Sequence, residues 1–340
     1  MAIVFSGGTK KIEFLEDFPV LCRVLGIPME GAYCDCVSSY TAFDVKARGS
    51  RKTRRIDAPC PHLKAMQRLL LDKLLVPIGA HDCAMGFAPG KSIAINARRH
   101  HCASHLFTTD IRSFFPSIKA MHISKMLKTR FPHLSKEVRE EITCITTRDG
   151  RLPQGAPTSP HIANLVMYSF DELCEEAADR LGAVYTRYAD DISISSHNGV
   201  NLRQLESVVR IGLDAFEMEM HPDKTRHLGP RQTKLVTGLD IGGTRIRPTK
   251  AFRKKTAALV RMSVKYQTKM ERHRDLIRGY LAFWYDVDPI DPQLADLLER
   301  MGCPHWASKA RSTAQGILSN QKATTTNLDA PETIDFDIPW

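Results

Sequence analysis

No stretch of the 340-residue chain approaches the roughly 18 uncharged apolar residues of a membrane-spanning helix, so no helical span is expected. The opening MAIVFSGGTKK lacks the layout of an export signal, and the expected location is the cytoplasm. There is no Cys-x-x-Cys pair. The nine cysteines are an odd number, scattered apart from the tight Cys34-Asp35-Cys36, which argues against a disulfide framework. The other metal-like grouping, His100, His101, Cys102 and His105, fits no standard zinc spacing,. Most of these thiols read as small buried hydrophobes. No internal repeat is found, and 43% hydrophobic with 25% charged residues excludes wholesale disorder.

Acidic residues are scarce where basic ones are dense. Between Arg245 and Arg278 twelve Lys and Arg face only Glu271 and Asp275, a balance of +10 that accounts for the whole net charge of the chain. The excess is one patch, as a polyanion-binding segment requires, and nucleic acid is the commonest such partner.

Along the chain, residues 11–27 read as two short helices divided at Pro19. Alternation over 40–46, a turn at Arg48-Gly49-Ser50 and a return over Lys52–Asp57 predict a β-hairpin edged with Arg and Lys,. Helices are expected at 58–76, 120–130 and 136–146, with a strand at 106–111 between the first two. One continuous helix is expected to open on Ser159 as N-cap with Pro160 at its first position and to end at Gly182,. Strands 183–188 and 192–196, a helix over 202–218 and a strand pair near 234–241 and 245–247 follow. Beyond Pro248 helices are expected at 249–270, 272–285 and 292–301, and 319–340 reads as a Thr-rich, then acidic tail.

The chemistry sits in carboxylates. Asp190 and Asp191 occupy the turn between two apolar strands, where adjacent like charges cost stability unless a divalent cation neutralises them. Asp110 ends the strand 106–111. Three hard oxygen donors suit magnesium, and a pair of such ions suits phosphoryl transfer. A Walker-type loop at Gly86 to Ser92 is rejected, because only three residues separate Gly86 from Gly90,.

Three stretches then occur in one order: Thr108-Thr109-Asp110-Ile111-Arg112-Ser113-Phe114-Phe115, Leu152-Pro153-Gln154-Gly155-Ala156-Pro157-Thr158-Ser159-Pro160, and Tyr188-Ala189-Asp190-Asp191. This set resembles the reverse transcriptases over roughly residues 40–285. With Asn96-Ala97-Arg98-Arg99-His100 and Val236-Thr237-Gly238, it resembles the bacterial retron reverse transcriptases in particular.

The resemblance implies an α+β right-hand polymerase with fingers, a ferredoxin-like palm and a helical thumb. It divides the chain into an N-terminal helix and fingers (1–105), palm (106–118 and 156–243), fingers/palm helices (119–155), basic thumb (244–318) and tail (319–340). It implies Asp110, Asp190 and Asp191 as catalytic triad, with Ile111 joining them in the set that holds two magnesium ions. Phe115 stands at the position that selects dNTPs over rNTPs. Gln154 and Gly155 would line the nucleotide pocket, Lys224 would approach the triphosphate, and Lys52, Arg54 and Arg55 would grip it from the hairpin. RNA contacts would come from Asn96, His100, Val236, Thr237 and Gly238, and from Arg253, Lys254 and Lys255 on the thumb.

The implied activity is RNA-directed DNA synthesis on a cognate non-coding RNA, started from an RNA 2′-hydroxyl and giving branched single-stranded DNA. The implied partners are that RNA and its RNA–DNA product, an effector protein encoded nearby in anti-phage defence, and a host RNase H that removes template RNA. A group II intron-like reverse transcriptase and a non-catalytic RNA-binding scaffold are the alternatives.

Overall fold

The computed structural model describes residues 5–6, 9–10, 40–46 and 53–323. The helices expected over 11–27, the turn at 48–50, Lys52 and the Cys34–Cys36 pair lie outside them, as does the tail from 324 onward. The chain divides into two compact units, 1–244 and 245–340.

In the first unit the alternating segments form the expected hairpin. Strand β1 (Tyr40–Lys46) pairs antiparallel with β2 (Thr53–Pro59), from Tyr40 opposite Pro59 to Lys46 opposite Thr53. Most of this ribbon is exposed, including Phe43 and Val45. Helix α1 (Pro61–Leu70) starts with proline at its first position and the Cys60 thiol receiving the Leu63 N–H, as its missing donor favours. The single helix expected over 58–76 is shorter than that. Proline at 59 closes β2, and after Leu70 the chain widens into a π-turn (Leu71–Leu75) and tightens into a 3₁₀ turn (Val76–Ile78). Helix α2 (Ile93–Arg99) is capped by Ser92, whose hydroxyl accepts from the Ile95 N–H at 3.2 Å.

The central sheet has four antiparallel strands: β3 (His105–Asp110), β4 (Val184–Tyr188), β5 (Asp191–Ser196) and β6 (Arg226–Leu228), in the order β4-β5-β3-β6. Its apolar face packs on helices, with Phe107, Ile192, Ile194 and Tyr185 buried there. The short α3 (Phe114–Ser117), then α4 (Ala120–Arg130) and α5 (Lys136–Thr146), follow β3; the last two have the expected bounds.

The continuous helix expected from Ser159 to Gly182 is two helices, α6 (Ser159–Val166) and α7 (Tyr168–Arg180). Met167 at ψ 0° breaks the run, which lets α6 be buried nearly all round while α7 buries one stripe through Phe170, Cys174 and Ala178. Ser159 is not the cap. Thr158 already has helical dihedrals (φ −77°, ψ −26°) and neither side chain makes a capping bond, while the Ser159 N–H is taken by the Ala156 carbonyl at 3.2 Å. Helix α8 (Leu202–Asp214) packs on α7. Where they cross, a Cβ on Gly212 would meet the Phe170 ring at 2.9 Å. A two-residue hairpin, β7 (Leu235–Val236) with β8 (Leu239–Asp240), completes the unit.

The second unit is helical: α9 (Lys250–Lys265), a short turn at Gln267–Met270, α10 (Arg274–Val287), α11 (Pro292–Arg300) and α12 (Pro304–Ala323). Asp291 caps α11 as expected, accepting the Gln293 N–H at 3.0 Å, and Gly302 ends it at φ +71°,. Helix α12 had no counterpart in the sequence reading, and it runs five residues into the stretch read as tail. Its small residues Ala307 and Ala310 are buried against a core centred on Trp284.

Candidate active site

The sheet gathers the three aspartates from separate parts of the chain. Asp110 and Asp191 are directly opposed across β3 and β5, a cross-strand arrangement that is repulsive for like charges. Asp190 precedes Asp191 in the turn joining β4 to β5, and its carbonyl accepts the Ile111 N–H at 2.8 Å. Burial, then the charges of Asp110 and Asp190, push the Asp191 carboxyl up to about 7. Asp190 is pushed up by burial and by Asp110, against which Lys224 and Arg54 favour its ionised form.

Lys224 donates to Asp110 Oδ2. Arg54 is exposed on β2, close enough to act on Asp190. A converging set of carboxylate oxygens, in which the charge of Asp110 helps raise the pKa values of Asp190 and Asp191, is the donor chemistry a hard divalent cation requires, so these residues fit one.

The turn is held from behind by groups that sequence reasoning missed. Arg187 is completely buried. It forms a two-pronged pair with Asp171, Nε to Oδ1 at 2.8 Å and Nη2 to Oδ2 at 2.6 Å. Its Nη1 donates to the Ala189 carbonyl at 3.0 Å and to Asn164 Oδ1 at 3.2 Å. Ala189 sits at φ +57°, a left-handed conformation unusual for alanine. Gly86 presses on it so closely that a Cβ there would lie 2.7 Å from the Ala189 nitrogen. The only sequence signal was an arginine inside an apolar strand, three residues before the first aspartate of the turn.

The Gln154-Gly155 loop abuts the hairpin. The Gln154 carbonyl accepts the Asp57 N–H at 2.8 Å. Gly155 has φ +130°, and a Cβ there would strike Ile56 Cγ2 at 2.8 Å, so only glycine fits. Phe115 is half-buried against the main core, its ring 5.5 Å from Phe114 and 6.2 Å from Phe87.

Asn96, His100 and Val236, expected as RNA contacts, all have buried side chains. His100 bridges two strands, Nδ1 to Ser195 Oγ and Nε2 to Thr186 Oγ1, each at 2.7 Å. Burial and neighbouring Arg99 push its pKa down to about 3. Thr237 and Gly238, at φ +46° and +80°, form the tight turn between β7 and β8, where positive φ at both positions matches the strand twist. The Thr237 hydroxyl donates to the Ile93 carbonyl of α2 at 3.1 Å. The two short motifs therefore pack on one another.

On α9, Arg253 pairs with Asp291 at 3.5 Å and is half-buried, whereas Lys254 and Lys255 are exposed. His81, Cys83 and Glu175 bring ligand atoms within 4.8 Å of one another. Their groups already answer each other, His81 Nδ1 lying 3.1 Å from Cys83 Sγ and Glu175 pairing with Arg99 at 3.7 Å.

The family model for reverse transcriptase (RNA-dependent DNA polymerase) matches residues 45–241, more than half the chain. The chain belongs to the reverse transcriptase family. It is 29% identical over 288 residues to the retron Mx162 reverse transcriptase of Myxococcus xanthus, covering 75% of this chain and 59% of that protein. To the retron Ec86 reverse transcriptase of Escherichia coli it is 29% identical over 251 residues, covering 73% and 77%. The chain thus spans less than two thirds of the Mx162 protein. The expected resemblance to retron reverse transcriptases is borne out by these relatives. Among solved structures, telomerase from Candida albicans in complex with a fragment of telomeric RNA aligns with a TM-score of 0.51 at 11% identity, over 85% of this chain and 64% of that one. This reverse transcriptase accordingly has a right-hand polymerase fold, with mixed helix and sheet. No helix among its described residues is long and apolar enough to cross a membrane.

Proposed function

We propose that this chain is an RNA-directed DNA polymerase of the retron type, active in the cytoplasm, that copies part of a cognate structured RNA into branched single-stranded DNA from an RNA 2′-hydroxyl. The observation that carries the reading is Asp110 facing Asp191 across the sheet, with Asp190 beside it in a turn locked from behind. In this reading the four-stranded sheet is the palm, the exposed hairpin belongs to the fingers and the helices after Thr244 are the thumb.

Asp110, Asp190, Asp191 and the backbone at Ile111 would hold two magnesium ions. Bound there, such ions would lower the charge barrier between an attacking 3′-oxygen and the α-phosphate and stabilise the departing pyrophosphate. Lys224 holds Asp110 and supplies positive charge where a triphosphate would lie. Arg54 adds a second positive charge from the hairpin. Phe115 closes the pocket beside the sugar C2′, and the Gln154-Gly155 backbone fixes the hairpin over it. Removal of the template RNA falls to a host RNase H. An effector protein encoded nearby would complete a defence system.

The test is Asp190→Asn and Asp191→Asn in magnesium-dependent extension of a DNA primer on an RNA template. Each is expected to lower the rate by at least about a thousandfold, as loss of a charge at the reacting centre does. Near-normal extension by either would end the assignment.

A further inference from the structure

Phe87 holds a backbone conformation that a bulky side chain rarely adopts, φ +60°,. It is held there by its neighbour. Gly86 is wedged against the Ala189 nitrogen of the carboxylate turn, and its carbonyl accepts from Asn164 Nδ2 at 2.8 Å. The ring that follows is not buried in return: it is 47% exposed. It leans toward Phe115, with centroids 6.2 Å apart and planes inclined at 51°.

A strained residue fixed by surrounding structure, presenting an apolar ring to solvent beside reactive groups, is the pattern of a ligand-contacting position rather than a packing one. Glycine or asparagine would suit this backbone better in a loop whose side chain had no role.

We infer that Phe87 is a specificity-determining residue, a second aromatic wall that packs on the deoxyribose of the incoming nucleotide alongside Phe115. This rests on the polymerase reading above. The chemistry selects the sugar over the base edge. A phenyl ring has no donor or acceptor with which to read bases, whereas it matches the apolar C2′ edge of a deoxyribose. A 2′-hydroxyl turned toward it would lose its water without gaining a hydrogen bond. Two rings at an angle can line such an edge on two sides, which one cannot.

The experiment is single-nucleotide extension of an annealed DNA primer on an RNA template, with dNTP and rNTP titrated separately. Primer–template affinity is measured in parallel without nucleotide. Phe87→Ala is expected to raise KM for dNTP about tenfold while kcat changes little, since uniform binding is what is lost. The dNTP-to-rNTP preference should narrow at the same time. Phe87→Tyr keeps the ring and should restore KM to within about threefold of the parent. Phe87→Leu, which keeps apolar bulk without the flat face, gives the same reading as alanine should that variant fold poorly.

Unchanged KM and sugar preference would overturn the inference. So would a fall in primer–template affinity with KM for dNTP unchanged, which would put the ring on the primer. A parent protein that extends nothing would defeat the polymerase reading itself. A parent that extends normally, with Phe87→Ala matching it, defeats only the role of Phe87.

Discussion

The two units of the chain handle polar groups in opposite ways. In the first, Arg187, Asp171, Tyr185, His100, Thr186 and Ser195 are all essentially buried and bonded in two networks, one on each face of the sheet. In the second, the buried side chains are mainly apolar, around Trp284, Leu281 and Ile277, and the charges face outward. Its buried acids, Asp288 and Asp291, are each answered by an arginine, Arg245 at 3.2 Å and Arg253 at 3.5 Å. The difference is one of purpose. Buried hydrogen bonds have few acceptable geometries, so they fix atoms in place. Exposed charges act by their sum and tolerate individual error. Chemistry needs the first kind of organisation, and grip on a polyanion needs only the second.

The largest expected effect therefore lies at Arg187 and Asp171. Asp171→Asn leaves a guanidinium buried without its counter-charge, and stability should fall by about 3–5 kcal/mol in chemical denaturation. Replacing both partners with apolar residues, Arg187→Met with Asp171→Leu, should recover most of that loss. It should not recover activity, because nothing then holds the Ala189 carbonyl and the left-handed turn. Recovery of both would show the pair to be structural only and would erase the contrast between the units.

How much was legible in the sequence follows the same division. Strand alternation and the order of the motifs placed Asp110, Asp190 and Asp191 near the right strand ends, since patterning and turn chemistry are local. Arg187 was invisible because an arginine is read as a surface residue unless its partner is known, and Asp171 lies sixteen residues away on another element. His100 and Asn96 were expected to contact RNA through the family resemblance alone, and a short motif carries no information about burial, which depends on the strands packed against it. The break at Met167 escaped because an apolar stripe continues across it, and no Gly or Pro marks the spot. On α9 three adjacent basic residues looked equivalent, but helical geometry turns Arg253 toward Asp291 and leaves Lys254 and Lys255 outside.

A smaller effect is expected at His100. Its pKa is held down to about 3, below the ordinary value near 6.5, so folding favours the neutral ring. That contribution is complete above about pH 6.5 and is lost as pH falls toward 3. At pH 5 the parent should have lost about 2 kcal/mol that a His100→Gln variant, which cannot titrate, does not lose. Parallel denaturation curves from pH 7 to 5 check this. Equal pH slopes for the two proteins would mean that the imidazole is protonated in the fold, and that the first unit is less closed than its packing implies.

The smallest effect is predicted for the second unit, where single charges matter least. Lys254→Gln with Lys255→Gln should weaken binding to unrelated RNAs by similar factors, because phosphate contacts carry no sequence information. The log–log dependence of affinity on salt should flatten by about two, one for each contact removed. Arg253→Gln should barely change that slope, its charge being committed to Asp291, and should show instead as a loss of stability. Extension on a template held at saturating concentration should be close to normal for the lysine pair, since the carboxylate turn is untouched. A slope change at Arg253 as large as at either lysine would mean that the ion pair opens on RNA. Part of the second unit's geometry would then be set by its ligand, as nothing in the first unit's buried networks could be.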